Sequence, residues 1–427
     1  MMSRSSFLVA TFALLGAAFA TTAGAAERTV VVVLFDGFAP AMADATQTPN
    51  FDRIKREGAW SRHLVPAFPS VSLPNHTTFI TGCWPEHHGV VGNIFFDPQK
   101  GRYNEDGDAD WQTGCEAMWQ AAERQGVRSA ALNFAGRWSK TKGKLATYAN
   151  PPLPWDQLPS DEAILTQAIG LMKDNGASHP RLIALYFSEP AHTAHYYGTT
   201  APETLAQVRR ADAIVGRLMA AIQALPQGRE GTLVVGTDHG MMEVGPLINI
   251  GRIMNMYDIK GRQASDGATI NLYLDKGESV DRVEKALSEY SYAFTTYRTG
   301  HYPAYSHLGN GPRLGDLMLL AKPPYWVAGP ERFPDYAYWL GVTTFWPAIF
   351  TPPFGGIVAT HGYDPNITQM HGIFYAWGAG VAAGKEIPRL DMIDIHPTVM
   401  ALLGLKPGEP VDGHAVDGAL ASLPTAK

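Results

Sequence analysis

Thr237-Asp238-His239-Gly240-Met241 places a carboxylate beside an imidazole, and a run of apolar residues leads directly into it. That run, Thr232 to Gly236, is typical of a buried parallel strand. Because open α/β sheets bind ligands at the carboxyl ends of their strands, such a strand would bring Asp238 and His239 to a functional edge. A carboxylate oxygen next to an imidazole nitrogen suits zinc or a similar divalent ion. Taken alone, the pair is more often a turn residue and a structural histidine.

Four further segments carry residues that bind metals or phosphate, and most of them also follow apolar strands. They are Asp36 after the first strand, the hydroxyl-rich stretch Ser70-Val71-Ser72-Leu73-Pro74-Asn75-His76, the stretch Glu189-Pro190-Ala191-His192-Thr193-Ala194-His195, and Thr360-His361-Gly362-Tyr363-Asp364. One histidine after a strand is usually structural. Several such strand ends that converge on one edge of a sheet indicate a site.

Stretches with strand and helix character alternate along the chain and must position these residues. The strand stretches are Thr29–Phe35, Ser129–Asn133, Leu182–Phe187 and Thr232–Gly236. The helical ones are Thr48–Glu57, Cys115–Gln125, Asp161–Lys173 and Pro202–Leu225, and Pro69–Gly82 is predicted to be a turn that leads into a helix. The alternation predicts an α/β fold with a mostly parallel central sheet and helices on both faces.

The pattern changes between about residues 245 and 355, where Tyr, Trp, Pro and Gly are frequent and the strand-like pieces are short. We interpret residues 245–355 as an inserted cap subdomain within a catalytic domain that covers residues 26–427. Core character returns with Gly372–Trp377 and with a helix over Asp391–Leu403.

Composition limits the classes of partner. The chain has 427 residues, 45% of them hydrophobic and 17% charged, which suffices for one large domain with an insertion or for two domains. The net charge is -6, and basic residues form no block. A nucleic acid polymer is therefore not expected as an electrostatic partner.

Residues 1–25 have the order of parts of a secretory signal. Arg4 supplies the positive charge, Phe7–Ala20 is largely apolar, and Ala23-Gly24-Ala25 fits a cleavage site. No later segment is long and apolar enough to predict a transmembrane anchor, so we expect a secreted or periplasmic protein. Export would permit a disulfide between the two cysteines, Cys83 and Cys115, although the sequence does not show whether they meet.

Together the motifs carry a specific resemblance. The matching pieces are Phe35-Asp36-Gly37, Phe68-Pro69-Ser70-Val71-Ser72-Leu73-Pro74-Asn75-His76, Thr81-Gly82-Cys83-Trp84-Pro85-Glu86-His87-His88-Gly89, Gly92-Asn93, Glu189-Pro190 with His195, Thr237-Asp238-His239-Gly240-Met241, and His361-Gly362-Tyr363-Asp364. In this order they resemble the nucleotide pyrophosphatase/phosphodiesterase family of the alkaline phosphatase superfamily. The resemblance covers nearly the whole chain after the signal and implies two zinc ions, as in two-metal phosphoryl-transfer sites.

The resemblance also implies a role for each matching residue. Ser72 would be the nucleophile, with Ser70 as its rival, and Asn93 would contact the phosphate. The second metal site would consist of Asp36, Ser72, Asp238 and His239. The first metal site would use a carboxylate from the Glu-Pro-x segment together with His195 and His361.

One position departs from the family pattern. Relatives usually carry an aspartate where this chain has Ala191, and alanine cannot bind a metal. Three interpretations stay open. Glu189 or His192 substitutes for the missing ligand, or the first metal is bound weakly, or the chain is an altered form.

The resulting expectation is an exported zinc-dependent phosphodiesterase that acts through a phosphoryl-serine intermediate. Its substrate would be a small phosphate diester, either a nucleotide or a phospholipid headgroup. An apolar slot would receive it, built from Trp84, Phe95, Phe96, Trp138 and the aromatic stretch Tyr302–Phe354.

Two alternatives remain. The first is a phosphomonoesterase, which would need a basic clamp such as Lys140, Lys142 and Lys144. The second is a metal-impaired, non-catalytic binding protein, and Ala191 is its motivation.

Overall fold

A computed structural model describes residues 27–103, 109–140, 142–154, 157–329, 348–350 and 356–421. The predicted signal (1–25) and most of the aromatic stretch between residues 330 and 355 lie outside the described residues. Within the described part of the chain, no helix combines the length and the apolar character that crossing a membrane requires.

The strands, in chain order, are β1 (Glu27–Asp36), β2 (Ala59–Val65), β3 (Phe95–Asp97), β4 (Gly101–Tyr103), β5 (Ser129–Leu132), β6 (Tyr148–Ala149), β7 (Leu182–Pro190), β8 (Arg229–Thr237), β9 (Met242–Glu243), β10 (Pro246–Asn249), β11 (Gly261–Asp266), β12 (Thr269–Leu274), β13 (Phe294–Arg298), β14 (Leu317–Ala321), β15 (Trp326–Ala328), β16 (Ala348–Phe350), β17 (Ala359–Thr360), β18 (Gly372–Gly378), β19 (Lys385–Glu386) and β20 (Leu390–Asp391). The α-helices are α1 (Pro40–Asp44), α2 (Pro49–Glu57), α3 (Ser72–Thr81), α4 (Pro85–His88), α5 (Met118–Arg124), α6 (Asp161–Lys173), α7 (Ala191–Tyr197), α8 (Pro202–Gln223), α9 (Ile250–Met256), α10 (Val280–Leu287) and α11 (Ile395–Leu403).

Nine strands of the described residues form the central sheet, in the order β19-β2-β18-β8-β1-β7-β5-β6, with β20 beside β2. Strands β8, β1, β7, β5 and β6 run parallel to one another. Strand β18 is antiparallel to both of its neighbours, β8 and β2. The prediction of an α/β fold with a mostly parallel sheet is therefore confirmed, and the antiparallel β18 is an addition to it.

Strand β1 separates the two faces of the sheet, because its side chains alternate between them. Val31, Val33 and Phe35 join a core that α2, α6 and α8 cover. Val30, Val32 and Leu34 join the opposite core, under α3, α5 and α11. Helices thus cover both faces, which is why β1 is apolar almost throughout.

The segment predicted to be an insertion contains an antiparallel sheet of its own, in the order β11-β12-β14-β13. Its buried face packs with α9 and α10 around a separate cluster that includes Ile253, Ile270 and Leu287. The turn between β11 and β12 points back toward the central sheet, where Ala268 N–H donates to the His361 carbonyl at 3.0 Å.

Candidate functional site

Three adjacent parallel strands end at the same edge of the sheet and carry the candidate residues there. In the β1–β8 pairing Phe35 lies beside Thr237, and in the β1–β7 pairing Asp36 lies beside Pro190. Asp36, Asp238 and His239 therefore meet at the carboxyl ends of the strands, and α7 begins beside them at Ala191.

Gly37 makes the close approach of α7 to this edge feasible. Its φ is +58°, and a Cβ at this position would lie 2.7 Å from the Ala191 Cβ. A glycine is needed here because it tolerates both the left-handed backbone and the absence of space.

Asp36, Asp238 and His239 form a buried cluster in which one ligand atom from each lies within 4.8 Å of the others. His239 Nε2 is 3.6 Å from Asp36 Oδ1 and 3.5 Å from Asp238 Oδ2. The Ser72 hydroxyl lies 3.2 Å from the same nitrogen. Two carboxylates, one imidazole and one hydroxyl thus converge, and these are ligand types that zinc accepts.

Hydrogen bonds orient both carboxylates of the cluster. Asp238 accepts from the backbone N–H groups of Gly37 at 3.0 Å and His239 at 2.9 Å, and from His76 Nε2 at 3.1 Å. Burial alone would raise the pKa of Asp238, but attraction to His239 and the hydrogen bonds from His76 and Gly37 outweigh burial and lower the pKa below its ordinary value. Asp36 Oδ2 accepts from the Tyr186 hydroxyl at 2.6 Å.

Three imidazoles are oriented in the same way. The Nδ1 atoms of His239, His195 and His361 lie 2.8, 2.8 and 3.2 Å from the carbonyls of Gly240, Ala359 and Ser70, respectively. Because a carbonyl only accepts, each Nδ1 carries the proton and each Nε2 carries the lone pair. The His361 ring lies between the other two, with ring centroids 3.7 Å from His239 and 5.2 Å from His195.

The orientation of these three imidazoles fits zinc binding. Histidine ligands of a metal characteristically donate their other ring N–H to a carbonyl or a carboxylate, which fixes the tautomer. Burial also lowers the pKa of His239, which favours the neutral imidazole that a metal ligand requires.

The two candidate nucleophiles have different surroundings. Ser72 is the first residue of α3, after the N-cap Val71, and its hydroxyl opens into the cavity beside the carboxylate cluster. Ser70 is fully buried and its hydroxyl donates to the Tyr363 carbonyl at 2.9 Å. The geometry therefore brings Ser72, and not Ser70, to the cluster.

Asn93 lies on the other side of Ser72. Its side-chain oxygen accepts from the Leu73 N–H at 2.7 Å, so its amide NH2 is the end available to a ligand in the cavity. Its own backbone N–H donates to the Asp266 carboxylate at the end of β11.

Glu189 and His192 flank Ala191 but lie in different surroundings. His192 is exposed and lines the same cavity as His195, His361, Asp36 and Ser72. The Glu189 carboxylate accepts from the Thr193 N–H at 3.1 Å and from its hydroxyl at 2.9 Å. Glu189 lines a second cavity, beside Asp161 and Arg210.

The site cavity has a volume of about 180 Å³. Its wall residues besides the candidates already described are Leu73, Tyr186, Ser188, Ala191, Tyr196 and Ile357. Tyr196 and Ile357 supply apolar surface that the sequence did not single out.

The aromatic residues predicted to form a slot lie elsewhere. Trp84 stacks on His307, with ring centroids 4.3 Å apart, and Phe95 packs in a core with Tyr103 and Trp111. Phe96 meets Arg262 and Tyr273, and the Trp138 N–H donates to the Asn150 carbonyl. Among the described residues, none of these four rings lines the site cavity, so the slot prediction is wrong for them; each packs against the neighbours just named.

Comparison with known proteins agrees with the geometry. The profile of the family described as type I phosphodiesterase / nucleotide pyrophosphatase matches residues 30–364. The ectonucleotide pyrophosphatase/phosphodiesterase family member 7 of Rattus norvegicus is 26% identical over 399 residues, which cover 91% of this chain and 86% of the relative. For the Homo sapiens protein of the same name the identity is 26%, with coverages of 91% and 82%.

Solved structures share the fold. Murine ectonucleotide pyrophosphatase/phosphodiesterase 5, an inactive variant in complex with AMP, superposes with a TM-score of 0.79 at 23% identity. That match covers 92% of this chain and 100% of the murine chain.

Proposed function

Because this chain belongs to the type I phosphodiesterase / nucleotide pyrophosphatase family, we propose that it is an exported, zinc-dependent hydrolase of small phosphate diesters that acts through Ser72. The observation that carries the proposal is the Ser72 hydroxyl 3.2 Å from His239 Nε2, beside the carboxylates of Asp36 and Asp238.

The proposed reaction has two displacements at phosphorus. In the first, the Ser72 oxygen forms a bond to phosphorus, the bond to the leaving oxygen breaks, and the leaving group departs with a proton. In the second, a water oxygen attacks the phosphoserine and the Ser72 oxygen leaves, which restores the hydroxyl. Asn93 would donate its amide to a non-bridging oxygen during both steps.

Asp36, Ser72, Asp238 and His239 would hold one zinc ion, and His195 and His361 would hold part of a second. When bound, zinc would supply the positive charge that favours the serine alkoxide and offsets the charge on the phosphoryl oxygens. Tyr186 and His76 would keep Asp36 and Asp238 in position as ligands.

The charges around the cavity favour a diester over a monoester. Among the described residues that line it there is no lysine or arginine, and a monoester carries an additional negative charge. Lys140, Lys142 and Lys144, the residues considered for a basic clamp, are exposed and do not line the cavity. The AMP bound to the murine relative makes a nucleotide diester the first substrate to test, with a choline phosphodiester as the lipid-headgroup alternative.

Export is supported by the cysteines. Cys83 and Cys115 form a disulfide in the structure, and such bonds persist mainly in oxidising compartments outside the cytosol. We expect N-terminal sequencing of the protein recovered from the periplasm or the medium to show that residues 1–25 have been removed.

Ser72→Ala and Ser70→Ala form a matched pair that tests the nucleophile. With a nitrophenyl nucleotide diester and added zinc, Ser72→Ala should lower kcat by at least about 1000-fold, since the residual rate after loss of a nucleophile comes from binding and electrostatics alone. Ser70→Ala should lose less than about tenfold, because only a hydrogen bond to Tyr363 is removed.

The remaining outcomes decide between the functions. Faster turnover of nitrophenyl phosphate than of the diester would identify a monoesterase. No turnover of either ester at saturating zinc would identify a binding protein. Equal losses in the two serine variants would contradict the assignment of Ser72.

A further inference from the structure

The first metal site lacks its expected carboxylate, and this inference rests on the proposed function of the cavity. We propose that His192 supplies the missing ligand, so that the site consists of His192, His195 and His361. It would take a divalent ion that favours imidazole ligands, with zinc as the first to test.

The position of α7 carries this assignment. The helix covers Ala191–Tyr197, so His192 and His195 are three residues apart and share one face. Both line the cavity that also contains His361. The buried Ala191 packs directly against Gly37, which holds the first turn of α7, and with it His192, at the edge of the sheet where the carboxylate cluster lies.

The two neighbouring imidazoles have the tautomer that a metal ligand needs. His195 and His361 each donate Nδ1–H to a carbonyl, at 2.8 and 3.2 Å, and their rings contact at 5.2 Å between centroids. His192 lines the same cavity, and the Tyr196 ring, 5.7 Å away between centroids, contacts it edge to face. Three histidines with one open position are a known arrangement of catalytic zinc.

Glu189, the other candidate for the missing ligand, is hydrogen-bonded elsewhere and does not line the cavity of the histidines. Its carboxylate is bound by Thr193 through two hydrogen bonds. It lines the second cavity, beside Asp161 and Arg210, and not the cavity of the histidines. Turning it toward His195 would break both hydrogen bonds with Thr193.

An imidazole in place of a carboxylate changes the metal preference. The first site would hold one negative charge less and would offer nitrogen ligands alone. Such a site favours zinc over magnesium, calcium and manganese, which prefer oxygen ligands. The second metal site, with two carboxylates, does not discriminate in this way.

Zinc binding by four purified mature proteins tests the assignment: the wild type, His192→Ala, Glu189→Gln and, as a matched control, His301→Ala. His301 is an exposed histidine outside the cavity. Each protein is equilibrated with chelator-buffered zinc, and bound zinc is measured by mass spectrometry. We expect two ions in the wild type and in both controls. In His192→Ala the affinity for one of the two should fall by more than about 100-fold, since even outer-shell partners of a metal are worth 10- to 100-fold.

The outcomes separate this inference from the proposed function. If His192→Ala binds both ions as the wild type does, or if Glu189→Gln loses one instead, the assignment of His192 is overturned whether or not diesters are hydrolysed. A wild type that binds a single ion, unaffected in His192→Ala, overturns it as well. A wild type that binds no zinc overturns the proposed function too. Because His192 is exposed, unchanged thermal unfolding is expected for the variant and verifies its folding.

Discussion

At the scale of single residues, two side chains outside the proposed metal ligands set the geometry of the carboxylate cluster. The Tyr186 hydroxyl donates to Asp36 and His76 donates to Asp238, and the rings of Tyr186 and His76 contact each other at 4.5 Å between centroids. Both carboxylates are thus fixed by one packed pair of rings on the sheet side of the cluster.

Tyr186→Phe removes one of these hydrogen bonds and keeps the ring. We expect the zinc affinity of the second metal site to fall by about 10- to 100-fold, because Asp36 loses the partner that orients it. Equilibration with chelator-buffered zinc measures this, and kcat for a diester should fall in parallel when zinc is limiting.

Tyr363→Phe is the control for Tyr186→Phe. Its hydroxyl is also lost from a buried ring, but it donates to the Tyr325 carbonyl. If both variants changed zinc affinity equally, the effect of Tyr186→Phe would be general destabilisation and not loss of the contact with Asp36.

The sequence identified the residues that end strands but not those that support them. Asp36, Asp238 and His239 follow apolar runs, so their meeting at one edge could be predicted. Tyr186 lies inside a buried strand, where a tyrosine is usually core. The position of His76 could have been predicted, since it lies four residues after Ser72 on α3 and thus on the same face of that helix.

At the scale of elements, the turn between β11 and β12 connects the four-stranded sheet to the site. The Asp266 carboxylate accepts a hydrogen bond from the Asn93 N–H, and the Ala268 N–H donates to the His361 carbonyl. Between them, a Cβ at Gly267 would lie only 2.5 Å from the same carbonyl oxygen, so the two segments are in close contact. One turn thus holds the loops of both Asn93 and His361.

Asp266→Ala tests this connection. We expect kcat/KM for a diester to fall by about tenfold or more, because a hydrogen bond to a charged group contributes about 1.5–3 kcal/mol. Zinc bound by Asp36, Asp238 and His239 should not change, since Tyr186, His76 and the Gly240 carbonyl orient these residues.

Asp275→Ala, at an exposed carboxylate beyond β12, is the matched control and should leave kcat/KM near the wild-type value. Loss of zinc from the carboxylate cluster in Asp266→Ala would show that the turn supports the whole fold and not the Asn93 loop.

Elements that are determined by their own residues could be predicted from the sequence, whereas elements that depend on tertiary contacts could not. The helix expected over Asp161–Lys173 has those bounds in the structure, with Ser160 as N-cap. The helix expected over Asp391–Leu403 begins later, at Ile395, after a 3-10 turn. Strand β2 was not predicted, because its polar Ser61, Arg62 and His63 interrupt the apolar pattern, and its place beside β18 is a tertiary contact.

At the scale of the whole molecule, the C-terminal segment returns to the end of α3 and closes the core on that face. His396 donates from Nδ1 to the Ile80 carbonyl at 2.7 Å, and its Nε2 accepts from the Gly408 N–H at 2.7 Å. Asp412 N–H donates to the Gly82 carbonyl at 2.8 Å, next to the Cys83–Cys115 disulfide. His88 lies beyond the disulfide and accepts from the Val90 N–H with Nδ1.

These two buried histidines predict how stability depends on pH. Burial lowers the pKa of His88 to about 3 and that of His396 to about 4, whereas in the unfolded chain both titrate near 6.5. As the pH falls below about 6.5 the unfolded state binds protons that the folded state excludes, so the free energy of unfolding decreases. Each histidine lowers the free energy of unfolding by up to about 1.4 kcal/mol for each pH unit below about 6.5. Urea unfolding of the wild type and of His396→Gln between pH 7.5 and 5 measures the dependence, and the variant should show the shallower decline. Equal declines in the two proteins would mean that His396 is protonated in the folded state, which its acceptance of the Gly408 N–H does not permit.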